Sequence, residues 1–289
     1  QNQKDFGAGT LVILNGDQSA DKQKNFSDAV QQLCEENGQA FVPVTTALVE
    51  QGDDLGEDNF EILSLPRIGL VVGEDVAQTR SGELWHFLEQ GLNADFTLLD
   101  AENLSDLKLT GYDALVLPSG DYNVRAVERY LNMGGHVIVM GESIETITKL
   151  SDADIKEIKV SASPETFKSQ ARTRLKARTA GCVVRVTLDS SHPLAFGMPQ
   201  TCFLLKEESQ IFERLPEKSG TWNVGTFERV ESGFMGSELK KSLPEALALS
   251  TQRFGRGQIT YFADAPTFRG FWHGSNLFFC NAIFFVRNF

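Results

Sequence analysis

Arg67-Ile68-Gly69-Leu70-Val71-Val72-Gly73 is a near-continuous apolar run closed by glycine, the pattern of a strand buried on both faces of a parallel sheet. The same kind of segment returns as Phe96-Thr97-Leu98-Leu99-Asp100, Ala114-Leu115-Val116-Leu117-Pro118 and His136-Val137-Ile138-Val139-Met140. Helical spacings lie between them. Leu84, Trp85, Phe87 and Leu88 supply one inner face ending at Gly91, and Val124, Val127, Tyr130 and Leu131 supply another, capped by Gly134-Gly135. Strands and helices alternating in this way imply right-handed crossovers and a doubly wound, mostly parallel α/β sheet. Ligands of such sheets bind beyond the carboxyl ends of the strands. Those ends fall near Gly73-Glu74, Ser119-Gly120-Asp121 and Gly141-Glu142-Ser143, which makes Ser119, Asp121, Gly141, Glu142 and Ser143 the candidate cleft.

Upstream, Thr10-Leu11-Val12-Ile13-Leu14 reads as a strand closed by Asn15-Gly16. Phe26, Ala29, Val30, Leu33 and Cys34 recur at helical spacing as one buried stripe, ended by Asn37-Gly38. Phe41-Val42-Pro43-Val44 reads as an edge strand, since proline cannot donate to a ladder. Residues 1–63 are thus expected to form a small strand–helix–strand unit packed on the main domain of residues 64–289, with acidic Gly52 to Asp58 as its exposed loop. Gln1 to Gly9 lack the pattern of a signal peptide and read as a linker, which favours a piece cut from a longer protein.

Downstream, a polar stretch carries Lys168, Arg172, Arg174, Lys176 and Arg178 and reads as a solvated face or a partner of the acidic surface. A β-rich part follows over about 181–262, built from Cys182 to Val186, Thr201 to Leu205, Ala246 to Leu249 and Gln258 to Phe262, with Arg253 to Gln258 turning between the last two. Leu277, Phe278, Cys280, Ile283 and Phe284 mark a final apolar helix.

Composition narrows the function classes. The 289 residues carry 27 Lys+Arg against 39 Asp+Glu, a net charge of −12, which argues against nucleic acid and anionic membranes as partners. No run approaches the ~20 apolar residues of a membrane span. Four cysteines show no C-x-x-C spacing. Cys34 and Cys280 sit among apolar neighbours and read as buried; Cys182 and Cys202 flank one β-rich region and are the pair an oxidising compartment would join.

Chemical motifs are sparse. There is no G-x-x-x-x-G-K-[ST], and Gly69 to Gly73 does not open a helix as a dinucleotide loop must. His86, His136, His192 and His273 are isolated, so no metal set is expected. The sharp turn after a central strand, where a hydrolase of this architecture carries its nucleophile, falls on Gly141, which has no side chain. Ser143 suits a helix cap better than attack. No catalytic residue and no cofactor are therefore assigned. An enzyme would have to combine Glu142, Ser143 and Asp121 with a distant His192 or Asp264; a carbohydrate- or peptide-binding module would have to expose Trp85, Trp222, Trp272 or Tyr122 together.

The segment Arg67 to Met140, with Gly-Tyr-Asp-Ala-Leu-Val-Leu-Pro at 111–118 and Gly-Gly-His-Val-Ile-Val at 134–139, resembles class I glutamine amidotransferase-like domains, of flavodoxin-like type. His192-Pro193-Leu194-Ala195-Phe196-Gly197-Met198-Pro199 and the turn Arg253 to Gln258 resemble their trehalose-utilisation-type relatives. More narrowly, Ala77 to Trp85, Phe96 to Asp100, the 111–118 strand, Phe268-Arg269-Gly270-Phe271-Trp272 and Gly274 to Phe284 are similar to the C-terminal region of large bacterial zinc carboxypeptidases. That resemblance implies a non-catalytic accessory domain of a periplasmic or secreted parent. Its peptidase domain, N-terminal to Gln1, would carry the zinc and the His-x-x-Glu motif, and this domain would help position that domain or its peptide substrate. The nucleophilic cysteine of the amidotransferases matches Gly141, so the resemblance carries no catalytic residue across.

Overall fold

The computed structural model describes residues 6, 10–14, 20–52, 54, 55, 63–160 and 170–286. The chain divides into two compact units, Gln1–Leu63 and Ser64–Phe289. In the first unit, α1 (Ala20–Glu36) ends in a left-handed Gly38 at φ 63°, with the Gln39 N–H returning to the Cys34 carbonyl. Its expected apolar stripe is not buried: Phe26 and Leu33 are exposed, and Val30 and Cys34 are half-buried. Residues 10–14 and 41–44 form no strand, so the described residues of this unit offer no sheet for the helix to cover. Asn15-Gly16, most of the loop after Gly52, and Lys168 lie outside the described residues.

The second unit is built on one sheet in the order β2-β1-β3-β4-β9-β8-β7-β5-β6. β1 (Ile68–Val72), β2 (Phe96–Asp100), β3 (Ala114–Leu117), β4 (His136–Met140) and β9 (Gly257–Phe262) are mutually parallel. β3 and β4 are buried along their whole length, which is why they carry no polar alternation. β5 (Thr179–Leu188), β6 (Thr201–Lys206), β7 (Thr221–Met235) and β8 (Leu247–Phe254) continue the same sheet in antiparallel pairing. The β-rich part is therefore an extension of the main sheet, entered through the β8–β9 hairpin.

Helices cover the parallel half. α2 (Gln78–His86) runs into a π-helical turn at Phe87–Gly91. Leu84 and Leu88, four residues apart, share the buried face, while Trp85 stands outward at 42% exposure. α3 (Val124–Asn132) is capped by the Asn123 side chain, which accepts from the Ala126 N–H, and buries Ala126, Val127, Tyr130 and Leu131. Short α4 (Ile144–Thr148) follows β4, while α5 (Gln170–Lys176) and α6 (Ser237–Ser242) flank the antiparallel half. Arg172, Arg174, Lys176 and Arg178 are exposed, a solvated basic face. No helix among the described residues is long and apolar enough to cross a membrane.

α7 (Asn276–Phe284) buries Phe278, Phe279, Ala282 and Ile283. It also buries Asn281, whose Nδ2 donates to the Leu194 and Phe196 carbonyls at 3.1 and 2.9 Å. This amide pins the His192-Pro193-Leu194-Ala195 turn onto the core. Cys280 is half-buried beside them. Cys182 and Cys202 are free: Cys182 faces Lys206 across the ladder and Cys202 faces Val186. Four positions of offset put them about 13 Å apart along the strands, beyond disulfide reach.

Candidate functional site

The carboxyl ends of β3, β4 and β9 meet the end of β6. β4 stops at Met140, and Gly141 turns the chain at φ 57°, a left-handed conformation that side chains resist and glycine accepts. Ser143 secures the turn. Its Oγ is fully buried, accepts the Met140 N–H at 2.8 Å and lies 2.9 Å from both the Leu117 and Met140 carbonyls. The hydroxyl is thus spent on the backbone of two strands, and nucleophilic use of Ser143 would dismantle the turn that holds it.

Glu208 occupies the elbow itself. One carboxyl oxygen bonds Ser119 Oγ, and a Cβ placed on Gly141 would overlap the carboxyl group. The other oxygen, Oε2, is buried without a hydrogen-bond partner. Burial, and then the charge of Asp264, push the Glu208 pKa up to about 8, against the pull of Ser119, Lys206 and Arg80. The neutral acid that results suits the contacts. Ser119 Oγ reaches both Glu208 and the Met140 carbonyl, 3.3 Å away. One hydroxyl proton serves only one of them, and a protonated Glu208 supplies the second.

An ionic frame sets the position of Glu208. Lys206, at the end of β6, is completely buried and donates to Asp264 at 2.8 Å, with Phe227 under its ammonium group. Asp264 follows β9, and its second oxygen accepts the Glu207 and Glu208 N–H groups at 2.9 and 3.1 Å. Arg80 of α2 reaches Glu207 at 2.6 Å and Glu83 at 3.3 Å. Burial raises the Glu83 pKa, with Arg80 opposing it. One buried lysine therefore anchors the aspartate whose carboxylate orients the Glu207-Glu208 backbone at the elbow.

The structure sorts the sequence candidates. Ser119, Gly141 and Ser143 converge. Asp121 does not join them: it is 76% exposed and pairs with Lys149 at 3.1 Å. Glu142 points to solvent. Asp264 does reach the cluster. His192 is held elsewhere, with Nδ1 accepting the Leu194 N–H and Nε2 beside Thr251 Oγ1. Its burial lowers its pKa to about 4, with Asp189 opposing, so it is a neutral turn-former. Two of the aromatic candidates are held inside the fold. Tyr122 is buried with its hydroxyl on the Pro118 carbonyl, and Trp222 packs on His192. Sequence reading missed Arg80, Lys206, Glu207 and Glu208. The one available signal was three charged residues ending the apolar strand Thr201 to Leu205.

The cavity between β6 and Asp264, lined also by Phe227, Leu249, Phe262 and Phe278, holds about 10 Å³, room for about one water. Among the described residues no three His, Cys, Asp or Glu side chains are placed to hold a metal ion.

No protein-family model matches the chain, and no curated protein matches it. Solved structures do. A protein described as a GMP synthase subunit, from Thermoplasma acidophilum, is 15% identical at a TM-score of 0.49, covering 75% of this chain and 92% of its own. A glutamine amidotransferase from Thermotoga maritima is 12% identical at a TM-score of 0.44, covering 69% and 75%. A β-galactosidase from Bacillus circulans sp. alkalophilus is 14% identical at 0.41, covering 76% of this chain but only 31% of its own. The structural neighbours thus include glutamine amidotransferases alongside a segment of a glycosidase.

Proposed function

We propose that this chain is a non-catalytic, amidotransferase-like accessory domain of an exported zinc carboxypeptidase, and that it positions the peptidase domain or the peptide substrate. One observation carries the non-catalytic part of the reading: the nucleophile seat is a glycine, and the carboxyl of Glu208 fills the space a nucleophile would use. Ser143, the remaining hydroxyl in the turn, is committed to the backbone.

The likeness to the carboxypeptidases supplies the parent. It rests on Ala77 to Trp85, Phe96 to Asp100, 111–118, Phe268 to Trp272 and Gly274 to Phe284, segments that here build α2, β2, β3, a 3-10 turn at Phe268–Gly270 and α7. They place Leu84, Leu115, Leu117 and Phe278 in the core, while β2 is largely exposed. Zinc in this reading belongs to the peptidase domain. Here His136 lies against Thr260 and His192 against Thr251, each with its Nε2 on a threonine hydroxyl.

The test is the reading frame upstream of the codon for Gln1, followed by peptidase kinetics on the whole protein. The reading expects an in-frame leader and a His-x-x-Glu peptidase domain, chelator-sensitive carboxypeptidase activity, and a changed KM for peptides when residues 64–289 are removed. A frame without a peptidase domain, or peptide kinetics indifferent to the removal, contradicts it.

A further inference from the structure

Two glycine-rich motifs left unused by the elbow meet at the opposite, amino-terminal ends of β4 and β9. Gly134-Gly135-His136 enters β4, and Arg253-Phe254-Gly255-Arg256-Gly257-Gln258 makes the β8–β9 hairpin. Gly255 at φ 57° takes the first corner of a two-residue turn, the position that favours glycine in a type II′ hairpin. Parallel pairing sets His136 opposite Gln258, and the Gln258 N–H donates to the Gly135 carbonyl. Between the two motifs lies a cleft of about 150 Å³, lined by Gly134, Gly135, His136, Arg253, Arg256 and Gln258 together with the hairpin glycines. At about 30 Å³ per water this is room for roughly five waters, enough for a tetrahedral oxyanion.

The lining is cationic and rich in donors. Arg253 and Arg256 are exposed and, among the described residues, form no ion pair, in a chain of net charge −12. Arg253 is steadied over the Trp222 ring, 5.7 Å from its centroid. Gln258 is 6% exposed, and its Nε2 is buried with no acceptor in the protein. No carboxylate lines the cleft. The last turn of α3 faces it, but the Gly134 and Gly135 N–H groups fold back onto the Leu131 and Tyr130 carbonyls. The attraction for an anion therefore comes from the guanidinium groups, and the glycines contribute close approach.

We propose that this cleft binds a small tetrahedral oxyanion, a phosphate or sulfate group gripped by Arg253 and Arg256. The site is independent of the closed elbow, and it stands or falls apart from the accessory-domain reading. Guanidinium forks suit such oxygens because they offer paired donors in one plane.

Amide NMR shifts of the chain in about 0.15 M sodium chloride, where surface charge is largely screened, test it with inorganic phosphate as the probe. Saturable shifts at Gly134, Gly135, Gly255 and Gly257 are expected. Arg253→Gln with Arg256→Gln should weaken binding by about tenfold or more, while Arg269→Gln leaves it unchanged. Both arginines are solvent-facing, so the double variant keeps its fold, which its spectrum reports directly. Phenyl phosphate binding tighter than phosphate identifies a phosphoryl group on a larger molecule, and equal binding identifies the ion; either upholds the site. Unsaturable shifts, binding indifferent to the double variant, or acetate binding as tightly as phosphate overturns it.

Discussion

The carboxyl group of Glu208 stands in the volume that a side chain on Gly141 would need, although 67 positions of sequence separate the two residues. The strand-to-helix turn keeps the left-handed backbone of a nucleophile elbow while the end of a remote strand fills its seat.

Gly141→Ala should therefore be costly twice over, through backbone conformation and through overlap. A loss of about 2–4 kcal/mol is expected in urea unfolding. Part of that loss should be recovered when Glu208→Ala is added, because the overlap is gone while the strained φ remains. A double variant whose loss equals the sum of the singles would mean that the two residues do not compete for one space.

Protonation of Glu208 gives stability a definite pH dependence. Its pKa is raised from 4.5 to about 8, by burial first and by Asp264 second. The folded state therefore holds a proton that the unfolded state has already released across that interval. The contribution is full below the ordinary glutamate range, declines as pH rises through the window, and is lost above about 8. A fall on the order of 2–4 kcal/mol between about pH 5 and about pH 9 is expected, and Glu208→Gln should flatten it. Carbon NMR of glutamate carboxyls checks the assignment, since one resonance should titrate near 8 and vanish in that variant.

The Lys206–Asp264 pair is a frame whose two halves are not independent. Lys206→Met leaves a buried carboxylate without its cation and should cost about 3–5 kcal/mol. Asp264→Asn added to it should restore part of the loss, because the amide oxygen still accepts the Glu207 and Glu208 N–H groups. Chemical denaturation of the three variants reads this out.

Asn281→Leu should detach the Leu194–Phe196 carbonyls from α7 and leave two buried acceptors unpaired. About 2–4 kcal/mol is expected, together with faster amide hydrogen exchange in residues 192–197. Unchanged exchange there would show that the turn does not depend on α7.

The parallel strands were legible because each is a self-contained apolar run. β1 to β4 could be read residue by residue, and the glycine after Met140 already marked the elbow. Pairing was not legible: nothing local in Gln258 to Phe262 says that this strand joins β4 in parallel rather than closing a separate β-rich lobe. The strands read at 10–14 and 41–44 failed for the converse reason, since apolar runs form strands only when neighbours pair with them. Asp121 and Glu142 were named by position at strand ends, yet their side chains found solvent and Lys149. Glu208 was invisible because its place depends on the antiparallel strands returning β6 over the ends of β4 and β9, a tertiary path with no local sequence mark.

The most direct test of the closed elbow is hydrolysis by the purified chain itself, with glutamine, a p-nitrophenyl ester and a short peptide as substrates. The account predicts rates equal to buffer for all three, unaltered by Ser143→Ala or Glu208→Gln. Turnover of any of them that disappears in Ser143→Ala or Glu208→Gln would contradict it and make the elbow an active site.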